Sequence, residues 1–152
     1  MNTCKANRGS SLIETVVALF VLAIGVLGVL SMQVKSVQFN KNSHLFSQAS
    51  FLANDIYEGM LVTPDIAETY VINYDDNTPA KPSCSAGSDC TADQIADWNL
   101  HNWRTNVENL LPGGRGEINL IAGQMVIRVE FEMGYDDDGL PQSQEYIMVT
   151  DI

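Results

Sequence analysis

"RGSSLIETVVALFVLAIGVLG", residues 8–28, decides how the chain is read. From Leu12 to Met32 the strongly polar residues are Glu14, Thr15 and Ser31 alone. At about 1.5 Å per helical residue this run spans roughly 31 Å, enough for the hydrocarbon core of a bilayer. A carboxylate does not suit such a run. Insertion scales put about 2.5–3.5 kcal/mol on a charged residue at the membrane centre, and less near an interface. Glu14 therefore needs a reason, and the residues offer two. "SLIE" (Ser11–Glu14) fits a capping box, with Ser11 as N-cap and Glu14 reaching back to its backbone N–H. Alternatively Glu14 is a paired intramembrane charge. A cut after Gly9 would place a new α-amine on Ser10, four residues away.

The order of elements around the run is informative. Lys5 and Arg8 make a short basic leader, and the small residues Gly9, Ser10 and Ser11 precede the apolar stretch. A secretory signal peptide has the reverse order: a shorter apolar region and then a small-residue cleavage site. "SMQVKS" (Ser31–Ser36) is a poor site of that kind. The chain thus reads as an N-terminal membrane anchor whose processing site lies ahead of the anchor. The expected organisation is a leader at 1–9, a transmembrane helix at 10–33, its amphipathic continuation at 34–62 and a globular head at 63–152.

The 152 residues suit one modest core, and the net charge is −11. Loss of Lys5 and Arg8 with the leader would take it to −13. Nucleic-acid binding depends on phosphate neutralisation by Lys and Arg, so that class is excluded. Cys84 and Cys90 flank the polar loop "CSAGSDC" and can pair in an oxidising compartment, with a free thiol pair as the alternative. Zinc would need further ligands, and no other Cys or His stands near. "GYDDDGLPQ" (Gly134–Gln142) lacks the spacing of an EF-hand and reads as an acidic turn. No metal or other cofactor is expected.

No proline interrupts Ser11 to Leu61, which allows one helix of roughly 50 residues. Val34, Leu45, Ala49, Leu52, Ile56 and Met60 fall on one stripe of its second half, with Gly59 and Thr63-Pro64 as the stop. Gly25 and Gly28 read either as tolerated in lipid or as a soft point. In the head, "TYVINY" (Thr69–Tyr74) is strand-like. Residues 92–111 read as a helix capped by Thr91, with Ala96, Leu100, Trp103, Val107 and Leu110 inward, and "LPGG" ends it. Trp98 falls opposite Trp103, either covered by a loop or exposed as an interface anchor. "EINLIA", "GQMVIRVEFEM" and "SQEYIMVTDI" then read as antiparallel strands, with Met125, Ile127, Val129 and Phe131 on the apolar face.

The opening stretch resembles the processing signal of type IV pilins and pseudopilins: a basic leader ending in Gly, a cut, then an apolar helix with Glu as its fifth mature residue. Gly9, Ser10 and Glu14 are the matching positions, although the first mature residue is usually Phe rather than Ser. "AIGVLGVLSMQ" (Ala23–Gln33), "SQASFLANDIYEGM" (Ser47–Met60) and "WRTNVENLLPGGRGEI" (Trp103–Ile118) further resemble the PilV-type minor pilins, the type IV pilus modification proteins. The resemblance implies an α+β pilin fold, with a long N-terminal helix packed on a small antiparallel sheet with one further helix. It implies cleavage between Gly9 and Ser10 by prepilin peptidase, N-methylation of Ser10, and pairing of Glu14 with an amine during assembly. The partners it implies are other major and minor pilins, the inner-membrane assembly platform and the lipid bilayer. The implied location is the inner membrane with a periplasmic head, then the extracellular pilus.

His44 and His101 stand far apart on predicted helices, and no nucleophile elbow or phosphate loop is present. No catalytic residue is therefore named, and the chain is not expected to be an enzyme. Two rivals share part of the reading: a minor pseudopilin of type II secretion, and an unrelated single-pass anchored binding module.

Overall fold

The computed structural model describes residues 10–83, 90–135 and 138–151. Its order is helix α1 (Ser10–Val62), a short 3-10 helix (Pro64–Tyr70), helix α2 (Ala92–Leu110), and strands β1 (Arg115–Ile121), β2 (Gln124–Tyr135) and β3 (Pro141–Thr150). A long apolar N-terminal helix, a second helix and a three-stranded antiparallel sheet make an α+β architecture consistent with a pilin fold. The chain divides into two compact units, between Lys41 and Asn42.

In the first unit α1 is apolar on all sides over most of Leu12–Met32, and every described side chain from Leu12 to Lys41 is exposed. A Cβ added at Gly25 or Gly28 would meet nothing within 4 Å. Helix α1 already includes Ser10 and Ser11, which overturns the capping-box reading. Ser11 lies inside the helix, and Glu14 stands past the first turn. Val34 is exposed as well and does not join the buried stripe.

The second unit, residues 42–152, has one core. Leu45, Ala49, Leu52, Ala53, Ile56 and Met60 supply the stripe from α1, at the spacing of a helix that buries one face. Ala96, Leu100, Trp103 and Val107 of α2 meet it, as do Ile118 of β1 and Met125, Ile127, Val129 and Phe131 of β2. The sheet order is β1-β2-β3, with Ile118 opposite Ile127 and Ile127 opposite Met148. Trp103 is the centrepiece. Its indole Nε1 donates to the Leu52 carbonyl at 2.9 Å, and a Cβ at position 116 would strike its ring, so β1 carries Gly there. Phe46 meets Phe131 edge-on, with centroids 5.2 Å apart.

Thr91 forms a full capping box with Gln94 at the start of α2: its hydroxyl accepts from the Gln94 N–H, and the Gln94 side chain accepts from the Thr91 N–H. Leu110, expected inside, is exposed, and Leu111 is buried instead. The backbone leaves the helix at Leu111, which turns that side chain under the sheet. "TYVINY" is not a strand. Pro64 starts a 3-10 helix that runs to Tyr70, and only Ile72 pairs with β1, through a single bridge to Ile118. Gly59 is not a stop either. It lies inside α1, where a Cβ would sit 2.9 Å from Asn99 Nδ2. Val126, on the face read as mostly polar, is buried. The β1–β2 turn has both central residues at positive φ, Ala122 (54°) and Gly123 (84°), as a type I′ hairpin requires.

Candidate functional site: the N-terminal segment of α1

Ser10 and Glu14 both lie in α1, four residues apart. An i, i+4 spacing puts both on one side of a single turn, about 6 Å apart along the axis. Glu14 is exposed, and so is the whole run Leu12–Met32. Nothing in the unit covers this apolar surface, so the segment needs lipid or other helices around it. By length and composition α1 is able to cross a membrane. Gly9 lies outside the described residues, as does Cys84.

The head brings other groups together. Trp98 is half-buried, with the Lys81 ammonium 4.3 Å from its ring centroid. His101 is not a free surface residue. Its Nδ1 lies 2.9 Å from the Pro79 carbonyl oxygen and ties α2 to the preceding loop. Arg104 went unnoticed in the sequence. It is buried and donates to the carbonyls of Asn73 (3.2 Å), Tyr74 (2.8 Å) and Asp76 (2.8 Å). The available signal was its spacing, four residues after Leu100 on the inward side of α2. The Asp76 carboxylate closes the same turn, accepting from the Asn73 N–H and side-chain amide. Those bonds, the backbone one first, hold its pKa below the ordinary carboxylate value, with a smaller contribution from Arg104. Burial pushes the Tyr74 phenol above its usual range, reinforced by its hydrogen bond to Glu145 and by neighbouring carboxylates. Tyr70 Oη sits at another junction, within 3.2 Å of the Gly59 carbonyl and 3.0 Å of Asn99 Nδ2.

Among the described residues no group of three or more His, Cys, Asp or Glu side chains is placed to hold a metal ion. The head's polar contacts hold loops and strands in place. The segment whose chemistry asks for a partner is the start of α1.

Residues 4–30 match the prokaryotic N-terminal methylation motif. The motif takes in the leader, the Gly9–Ser10 bond, Glu14 and most of the apolar run. It covers under a fifth of the chain and leaves the head unassigned. It supports a type IV pilin-like substrate of prepilin peptidase, anchored by its apolar helix. Searches of curated proteins and of solved structures find no match.

Proposed function

We propose that the chain is a PilV-type minor pilin of a type IV pilus: a structural protein, not an enzyme, that promotes pilus assembly from near the tip. The observation that carries this is the methylation motif over residues 4–30, at the head of a long apolar helix that includes Ser10 and Glu14. The leader 1–9 is removed between Gly9 and Ser10, and the Ser10 amine is methylated. Leu12–Met32 then holds the subunit in the inner membrane as a single span, with the head periplasmic.

Assembly requires this segment to leave lipid and enter a bundle of like helices. An unpaired carboxylate resists burial there, and an amine on a neighbouring subunit relieves it. Glu14 thereby sets the axial register of docking. Apolar packing alone does so poorly, because a helix apolar on all sides can slide along its neighbours. The Cys84–Cys90 disulfide closes the 84–90 loop in the oxidising periplasm.

The test is Glu14→Ala in the full chain, followed through assembled fibres. The processed variant should accumulate in the membrane and be depleted from fibres. Full incorporation would remove the pairing role. Recovery of the wild-type chain with a secretion complex instead of fibres would favour the pseudopilin reading.

A further inference from the structure

The head of this chain is acidic, and its lysine and arginines are all engaged. Residues 1–41 carry Lys5, Arg8, Lys35 and Lys41 against Glu14, a balance of +3 that leaves −14 for residues 42–152 out of the total of −11. Arg115 pairs with Glu130 and Arg128 with Glu117, while Arg104 holds three carbonyls and Lys81 lies on Trp98. Those four are the only Lys and Arg residues of the head.

One apolar patch lies in this acidic surface. Phe51 of α1 is 75% exposed and lines two hollows. The larger, about 380 Å³, is a groove lined also by Leu52, Asp55, Glu58 and Leu110. The smaller, about 310 Å³, is lined also by Phe46. Asp55 and Glu58 stand four and seven residues after Phe51, so the three share one face of α1, within about 60°. Neither carboxylate forms an ion pair among the described residues. Leu110 is 52% exposed and is the last residue of α2. That helix has no basic residue in its last turn, so no cation of its own offsets the partial negative charge at the end where Leu110 stands.

We propose that the Phe51–Leu110 groove receives a helix of a different pilus subunit, one that presents an apolar side chain with Lys or Arg three or four residues away. This rests on the pilin reading above and names the contact of one minor subunit with an unlike neighbour. Charge decides against a second copy of this chain. Two heads of −14 repel, and neither has a lysine or arginine to spare. The other lysines of the proposed mature chain, Lys35 and Lys41, stand about 120° apart around α1, so they cannot both meet Asp55 and Glu58, which stand about 60° apart. A basic helix of another protein has neither obstacle. Phe51 and Leu110 are the apolar contacts that exclude water from it. Asp55 and Glu58 select it by charge and make the contact weaken with salt.

The experiment uses the full-length chain in its own cells, with p-benzoylphenylalanine at position 48 or 54, both of which line the groove beside Phe51. Irradiation should join each probe to a different protein of the fibre, at a peptide with Lys or Arg within one helical turn of the joined residue. Asp55→Lys with Glu58→Lys on the probe chain should lower the yield several-fold. Reversing the partner's Lys or Arg residues to Glu should then restore it, which damage to folding would not allow. Phe51→Ser should lower the yield as far and leave the head's urea midpoint unchanged, because that ring is exposed. An adduct to phospholipid, to a second copy, to a protein outside the fibre or to a peptide without Lys or Arg overturns the proposal, as does no adduct from either probe. Mass spectra of the same samples report the N-terminus. A Met1 start counts against the pilin reading, whereas a Ser10 start without the adduct counts against the groove alone.

Discussion

Leu22 and Leu52 stand in the same helix, and one is 63% exposed while the other is 7% exposed. Their surroundings explain the difference. Around Leu22 every side of the helix is apolar, so no direction is preferred and the environment must be lipid or other helices. Around Leu52 the apolar positions are confined to one stripe, so the helix has an inside, and α2 and β2 fill it. Helical propensity is common to both stretches. The distribution of polar residues around the axis separates an anchor from a core element.

Trp103→Ala should separate the two regions most sharply. It removes the central side chain and its hydrogen bond to Leu52, at a cost of about 3–5 kcal/mol. Urea unfolding of the full chain in detergent, followed by near-ultraviolet circular dichroism, should show the loss. Leu22→Ala should leave that transition unmoved, and an equal effect would break the distinction.

Arg104→Leu comes next, at about 1.5–3 kcal/mol, because three carbonyls lose a charged donor together. Faster amide exchange should be confined to the 73–76 turn and its neighbours. Uniform acceleration through the sheet would show that Arg104 supports the core instead of the turn.

Ala122→Asn should stabilise the head by about 0.5–1 kcal/mol. It places the pair favoured in type I′ turns where alanine holds an unfavourable left-handed conformation. A lower unfolding midpoint would contradict this.

The smallest effect is the pH response of the same turn. Asp76 has a lowered pKa in the fold, so its contribution is present above the ordinary carboxylate range. It is lost as pH falls below that range, through the depressed value. The Asn73 amide resonance should move in that window, and an Asn73 that stays fixed there would show that the carboxylate does not close the turn.

The sequence shows some of this organisation clearly and hides the rest. The stripe Leu45–Met60 and the alternation Met125–Phe131 are legible because one face of a regular element repeats at a fixed period. Thr91 is legible because a cap has a local chemical signature. "TYVINY" is composed of β-favouring residues whose setting overrides them: Pro64 begins a helical turn, and Tyr70 bonds inward to Gly59 and Asn99. Leu111 took the place of Leu110 because helical periodicity ends with the helix. Arg104 was hidden because its partners are backbone carbonyls, which leave no mark in a sequence. At the N-terminus the reverse holds. The roles expected of Gly9, Ser10 and Glu14 come from a resemblance to a known signal, and the helix adds that Ser10 and Glu14 lie about one turn apart.

The central claim is the proposed processing that leaves Ser10 as the first residue. Intact mass and N-terminal peptide mapping of the chain recovered from its own membrane test it directly. The account predicts a chain beginning at Ser10 and heavier by one methyl group on its amine. A chain that retains residues 1–9 and begins at Met1 would contradict it.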